Sequence, residues 1–138
     1  MSADVFFDTN VLIYANTRED YRTETARRLL LDGGLVGVQV LNEFASVARA
    51  KLGMTWAEVQ EVIENILILC PNPRSLGIET HMRALGISRK YGFSIWDGLI
   101  VAAAVEAGCS KLLTEDLQHG QVVDGVRIEN PFLGTMAP

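Results

Sequence analysis

Cysteine is scarce in this chain. The two cysteines, Cys70 and Cys109, lie far apart and show no CxxC or Cys/His spacing. Neither a zinc site nor a disulfide framework is therefore indicated, and two buried thiols in a reducing compartment are the simpler reading. Basic charge is also short, with 12 Lys and Arg against 17 Asp and Glu and a net charge of −5. That balance argues against a general nucleic-acid coat, which is normally basic. It does not exclude a nuclease, because carboxylates gathered in a site are offset locally by bound cations. Long apolar runs are missing too. The longest, around Leu99 to Val105, is far too short to cross a bilayer. No secretory leader precedes the first apolar run, so a soluble, cytoplasmic protein with no membrane partner is expected. Walker-type loops and dinucleotide fingerprints are absent.

No Pro/Gly/Ser-rich linker, repeat or low-complexity tract divides the sequence, and 49% of it is hydrophobic. Residues 1–138 are read as one domain, long enough to bury a core without covalent staples. Val5-Phe6-Phe7 has the character of a buried strand, and Asp8-Thr9-Asn10 can cap a short helix through Tyr14. Tyr21 to Leu31 fits a helix with Ala26, Leu29 and Leu30 inside, stopped by Asp32-Gly33-Gly34. Leu35 to Val38 reads as a second strand. Gln39 to Leu52 is then a helix with Val40, Phe44, Val47 and Ala48 at helical spacing, ended by Gly53. Thr55 and Glu58 form a capping box for the next helix, and Ile66 to Leu69 is either its end or a short strand before Pro71 and Pro73.

Ser75 to Lys90 forms a helix weakened by Gly77 and Gly86, and Ser94 opens another through Ala107. Lys111-Leu112-Leu113 and Val126 to Ile128 are the last strands. Strands alternating with helices predict an α/β fold, three layers (α/β/α) around a mostly parallel sheet.

The acids fall in informative places. Asp8 directly follows the first strand, Glu43 lies one turn into the helix after the second, and Asp116 follows the third. Ligands of parallel α/β sheets bind outside the carboxyl ends of the strands, so these acids should converge. Asp97 begins a helix whose only other charge is Glu106; a helix apolar nearly all round is buried, and the carboxylate at its start faces the interior or a cleft. Two like charges about 4 Å apart repel by roughly 4 kcal/mol at a protein-surface dielectric. Mg²⁺ or Mn²⁺ turns that repulsion into coordination by hard oxygens. A metal held this way activates water and stabilises charge on a phosphoryl oxygen, which points to phosphodiester hydrolysis.

Each residue also has a structural reading. Asp8 could simply cap a helix, Glu43 could be solvated beside Gln39, Ser46 and Arg49, and Asp97 could complete a capping box with Ser94. Asp116 could cap a turn before Gly120. Thr9, Asn10 and Thr114 could be turn residues, Asp124-Gly125 reads as a turn, and His119 as an exposed loop histidine. Spacing alone leaves these alternatives open.

Four segments in order resemble the PIN-domain ribonucleases, and more closely the VapC-type toxins of bacterial and archaeal toxin–antitoxin pairs. They are Phe7-Asp8-Thr9-Asn10-Val11-Leu12, Val40-Leu41-Asn42-Glu43-Phe44, Trp96-Asp97-Gly98-Leu99-Ile100-Val101-Ala102 and Thr114-Glu115-Asp116-Leu117. The resemblance spans essentially the whole chain. It implies that Asp8, Glu43, Asp97 and Asp116 are catalytic acids binding Mg²⁺ or Mn²⁺, and that Asn10 and Thr114 support them by orienting those acids or the attacking water. It also implies RNA as substrate, a cognate antitoxin that shuts the site with a basic side chain, and a homodimer. Glu115 and Asp116 are adjacent, and Thr-x-Asp spacing favours Asp116.

Substrate contacts are less legible. Arg22, Arg27, Arg28, Arg49, Arg89 and Lys90 could meet phosphates or could be ordinary helix-surface charges. Tyr14 and Trp96 could stack on a base, although core packing is the better reading of Trp96 at the start of an apolar helix. The rival classes are a non-catalytic RNA- or protein-binding module and a stand-alone RNA-processing nuclease. A phosphotransferase would place a second Asp two residues after Asp8, where Asn10 stands, and a receiver domain needs adjacent early acids and a mid-chain phosphoacceptor that the sequence does not show.

Overall fold

The structure, a computed structural model, describes residues 4–134. Strand β1 (Val5–Phe7) leads into helix α1 (Thr9–Ala15), followed by α2 (Thr23–Asp32), α3 (Val38–Lys51), α4 (Trp56–Leu69), α5 (Ile78–Tyr91) and α6 (Ile95–Glu106). Strands β2 (Lys111–Leu113), β3 (Val122–Val123) and β4 (Val126–Glu129) complete the chain. The sheet order is β1-β2-β4-β3. β1, β2 and β4 run parallel, and β3 joins β4 as an antiparallel hairpin. Helices flank the sheet in the three-layer, mostly parallel α/β arrangement expected.

The core forms where the sheet meets the helices. Phe6, Leu112 and Ile128 are wholly buried on adjacent strands, and Val11, Phe44 and Val101 pack from α1, α3 and α6. Cys70 and Cys109 are buried, which pushes both thiols up to about 11 and keeps them protonated. Local signals set the helix ends. The Asp8 carboxylate caps α1, and Thr55 and Glu58 close a reciprocal box on α4. Gly33 takes a positive φ of 88° to end α2, a conformation that strains any residue with a side chain.

One expectation changes. Residues 35–38 do not form a strand: Leu35 makes one isolated parallel bridge to Phe6, Gly37 another to Arg74, and α3 already begins at Val38. The reason is a steric contact between segments distant in sequence. A Cβ on Gly34 would lie 2.6 Å from the Phe7 ring, so the chain presses flat on β1 there, exchanges bonds with Val5 and Phe7, and turns straight into the helix. Strand β3 is too short to show a period in sequence. The turn at Asp124-Gly125, with both residues at positive φ, folds it onto β4. Ile66 to Leu69 is the end of α4 rather than a strand.

Helices α5 and α6 meet at backbone distance. A Cβ on Gly98 would lie 2.2 Å from Ser88 Oγ and 2.8 Å from the Ala84 carbonyl oxygen, so only glycine allows this approach. Ser88 Oγ in turn donates to the carbonyl of Ser94, the residue that caps α6. The start of α6, and Asp97 with it, is thereby set by α5.

Candidate active site

Parallel neighbours β1 and β2 carry Asp8 and Thr114 out of the sheet side by side, and the Asp8 N–H bonds the Leu113 carbonyl at 3.0 Å. Asp8 is 8% exposed. Its Oδ1 accepts from the Thr9 N–H at 2.7 Å and its Oδ2 from the Thr114 hydroxyl at 2.7 Å. Thr114 is fully buried, and its oxygen accepts from Asn10 Nδ2 at 3.2 Å and from the Asp116 N–H at 3.1 Å. Asn10 Nδ2 also donates to Asp116 Oδ2 at 3.2 Å. The amide has to point this way, since the reverse would set its oxygen against the Asp116 carboxylate. Asn10 Oδ1 is consequently buried with no hydrogen-bond partner.

A second set of bonds holds the side towards α3 and α6. Glu43 is half-buried, its Oε2 accepting from the Thr9 hydroxyl at 2.8 Å and its Oε1 from Gln39 Nε2 at 3.0 Å. Gln39 Nε2 also reaches the Trp96 carbonyl at 3.4 Å. Asp97 stands in the first turn of α6, its N–H bonded to the capping Ser94 hydroxyl at 3.1 Å.

The four acids share one electrostatic environment. Burial pushes the Asp8 carboxyl up to about 6, with the Asp116 and Glu43 charges adding and the bonds from Thr114 and Thr9 opposing. Asp97 is raised by burial and then by the same two charges, with Ser94 opposing. Among the described residues no three His, Cys, Asp or Glu side chains stand close enough to form a ready metal cage. The donor chemistry nevertheless fits a hard divalent cation: oxygen donors alone, two carboxyls raised in part by unrelieved mutual repulsion, and the orphaned Asn10 Oδ1 beside them. Of these residues, Asp8, Asp97, Glu43 and Asp116 are the ones that could hold it.

The neighbouring acid Glu115 turns away from this cluster. It accepts from the Tyr14 hydroxyl and pairs with Arg22 at 3.1 Å, while Arg22 also pairs with Asp20 at 2.8 Å and lies 3.8 Å over the Tyr14 ring. Tyr14 meets Phe132 edge-on as well, which removes it as a base-stacking residue. Trp96 differs from the core position expected of it: it is 64% exposed. It stands in the first turn of α6, ahead of the buried stretch from Gly98 to Ala102. Arg27 bonds the Ala15 carbonyl, and Arg49 bonds Met54 and stacks on Trp56. His119 is exposed and accepts from the Asn130 N–H at 3.0 Å.

Sequence reasoning missed two residues. Gln39 was visible only as part of a polar face, although its i, i+4 spacing to Glu43 was a usable signal. Thr9, read as a turn residue, joins the two sets of bonds, its backbone to Asp8 and its hydroxyl to Glu43; nothing in the sequence announces that.

A family model for the PIN domain matches residues 5–124. No curated protein matches the chain. Among solved structures, a toxin–antitoxin complex from Klebsiella pneumoniae is similar at TM-score 0.70 and 18% identity, over 92% of this chain and 97% of that one. VapC20 of Mycobacterium tuberculosis, described as a sarcin–ricin loop cleaving toxin, matches at TM-score 0.66 and 16% identity, over 78% of this chain and 86% of that one. VapBC2 of Rickettsia felis, bound to a DNA fragment from its promoter, matches at TM-score 0.66 and 16% identity, over 91% and 97%. At such identities the likeness is one of fold.

Proposed function

The chain belongs to the PIN-domain family, and from that premise we propose that it is a metal-dependent endoribonuclease, the toxin of a VapBC-type toxin–antitoxin pair, acting as one domain over residues 1–138. The observation that carries the reading is the set of bonds that gathers acids from separate places in the chain: Thr114 holds Asp8, Asn10 joins Thr114 to Asp116, Thr9 joins Asp8 to Glu43, and Gln39 joins Glu43 to the backbone beside Asp97.

Asp8 and Asp97 are assigned as direct ligands of Mg²⁺ or Mn²⁺, with Glu43 and Asp116 binding directly or through water. Such an ion, when bound, supplies an acidified water and neutralises charge growing on the phosphoryl oxygens. The protein's own part is orientation. Thr114 and the Thr9 N–H hold both oxygens of Asp8, so the carboxylate keeps one direction as it loses its proton. Asn10 Nδ2 steers Asp116. Thr9 and Gln39 hold the two oxygens of Glu43. No side chain has to act as a covalent nucleophile.

The toxin assignment is supported by two solved structures of similar fold, one described as a toxin and one as a toxin–antitoxin complex. It brings with it a cognate antitoxin and a homodimer as expected partners, and the cytoplasm as the expected compartment. Among the described residues no helix is long and apolar enough to cross a membrane. The test is cleavage of labelled total RNA by protein freed of antitoxin, in Mg²⁺, Mn²⁺ or EDTA, beside Asp8→Asn and Asp97→Asn. Discrete metal-dependent cuts that vanish in both folded variants support the enzyme. No cleavage with any metal, or equal cleavage by the variants, favours a non-catalytic binding module.

A further inference from the structure

Next to Asp97 in the first turn of α6 stands an indole that the fold leaves exposed. Trp96 is 64% exposed on a helix whose following residues are buried. Among the described residues neither a ring nor a cation lies over it, whereas the other exposed tryptophan, Trp56, has the Arg49 guanidinium 4.9 Å from its ring centre. Its backbone, by contrast, is tied to the site. Trp96 precedes Asp97, and its carbonyl accepts from Gln39 Nε2, which also holds Glu43.

We propose that Trp96 is a stacking platform for an unpaired nucleobase of the RNA strand whose backbone enters the acid cluster. The inference rests on the nuclease reading and deepens it by naming what is recognised. The charge of the protein makes such a platform useful. A chain of net charge −5 with several acids at the site repels phosphates, and Arg22, Arg27 and Arg49 are already engaged elsewhere. Stacking supplies attraction without charge. It is tolerant of sequence because every base has a π-face, and it selects single strands because the bases of a duplex already stack on one another.

The experiment uses the Trp56→Phe protein, in which Trp96 is the only remaining tryptophan of two. In EDTA, its fluorescence is titrated with a short mixed-sequence single-stranded oligoribonucleotide and with the same strand annealed to its complement. Quenching by the single strand alone is expected, with no quenching in Trp96→Phe, where Trp56 reports. In Mg²⁺ or Mn²⁺, Trp96→Ala should raise KM on the order of tenfold, with the loss falling on KM rather than kcat, and Trp96→Phe should recover most of it. Trp96→Ala keeps the backbone carbonyl that Gln39 holds. Absence of quenching, or an unchanged KM, overturns the proposal. So does a Trp96→Ala variant that changes only oligomeric state by light scattering, which would place the indole in a subunit contact. Quenching without cleavage in either metal supports the platform while refuting the nuclease. Cleavage abolished by Asp8→Asn but unaccompanied by quenching does the reverse.

Discussion

The two halves of the site are built differently. On one side Asp8, Asn10 and Thr114 are each no more than 8% exposed and bond one another across adjacent parallel strands. On the other, Glu43 and Asp97 are half-buried, Gln39 bonds Glu43 at 3.0 Å and the Trp96 carbonyl at 3.4 Å, and the Trp96 side chain is exposed. The closed half is paid for in desolvation, and Asp8 is the group most raised by it. Glu43 and Asp97 stay within reach of water, as does the exposed Asp116 that Asn10 holds.

The largest effect expected from breaking this contrast is on chemistry. Asp8→Asn should lower RNA cleavage by more than about 100-fold, beyond what loss of an outer partner usually produces. Gel-based turnover at saturating Mn²⁺ measures it, and a drop of only a few-fold would remove Asp8 from the ligand set.

Next comes the pH dependence of stability without metal. A carboxyl with its folded pKa raised from 3.8 to about 6 contributes stability that is complete below pH 4 and lost as pH rises through 6. The loss amounts to about 3 kcal/mol for this buried group. Thermal melts in EDTA should therefore show stability from this group falling between about pH 4 and 6. Asp8→Asn should flatten that slope, and a divalent ion should oppose it by favouring the ionised form. A wild-type slope identical to that of Asp8→Asn would show that Asp8 is not the buried acid of the cluster.

Two substitutions of intermediate size compare the halves directly. Thr114→Val strips Asp8 and Asn10 of a partner at once and should cost about 1–3 kcal/mol of stability and about 10–100-fold in metal affinity. Gly98→Ala drives a Cβ toward the Ala84 carbonyl oxygen. It should cost about 1–3 kcal/mol through the α5–α6 contact, with activity reduced because Asp97 moves with α6. Denaturant unfolding and metal titration separate the two: if Thr114→Val left metal affinity intact, the closed half would be structural only.

The smallest effect belongs to Gln39→Leu. Its bonds to Glu43 and Trp96 are partly solvated, so a loss in activity of about tenfold or less is expected. A loss matching that of Thr114→Val would mean that the open half is as constrained as the closed one.

Much of this site was legible in the sequence because it depends on local rules. Asp8 ends a short apolar strand and caps a helix, Asp97 follows a capping serine, and Thr-x-Asp places Asp116 on the acceptor side of Thr114. The positions of Glu115 and Trp96 were not legible. Glu115 is drawn off by Arg22 and Tyr14, 93 and 101 residues away. Trp96 reads as core because its helix is apolar, yet it lies ahead of the buried stretch that begins at Gly98.

The strands β1, β2 and β4, the capped starts of α1, α4 and α6 and the order of the four acids are legible in the sequence, since caps, turns and apolar periods act over a few residues. The tertiary structure alone decided which neighbour each acid keeps, that residues 35–38 make isolated bridges instead of a strand, and that Asn10 has an acceptor without a donor. Those outcomes depend on packing and desolvation between segments some thirty to a hundred residues apart, as in the Thr9–Glu43 and Asn10–Thr114 bonds, and no local pattern encodes such distances.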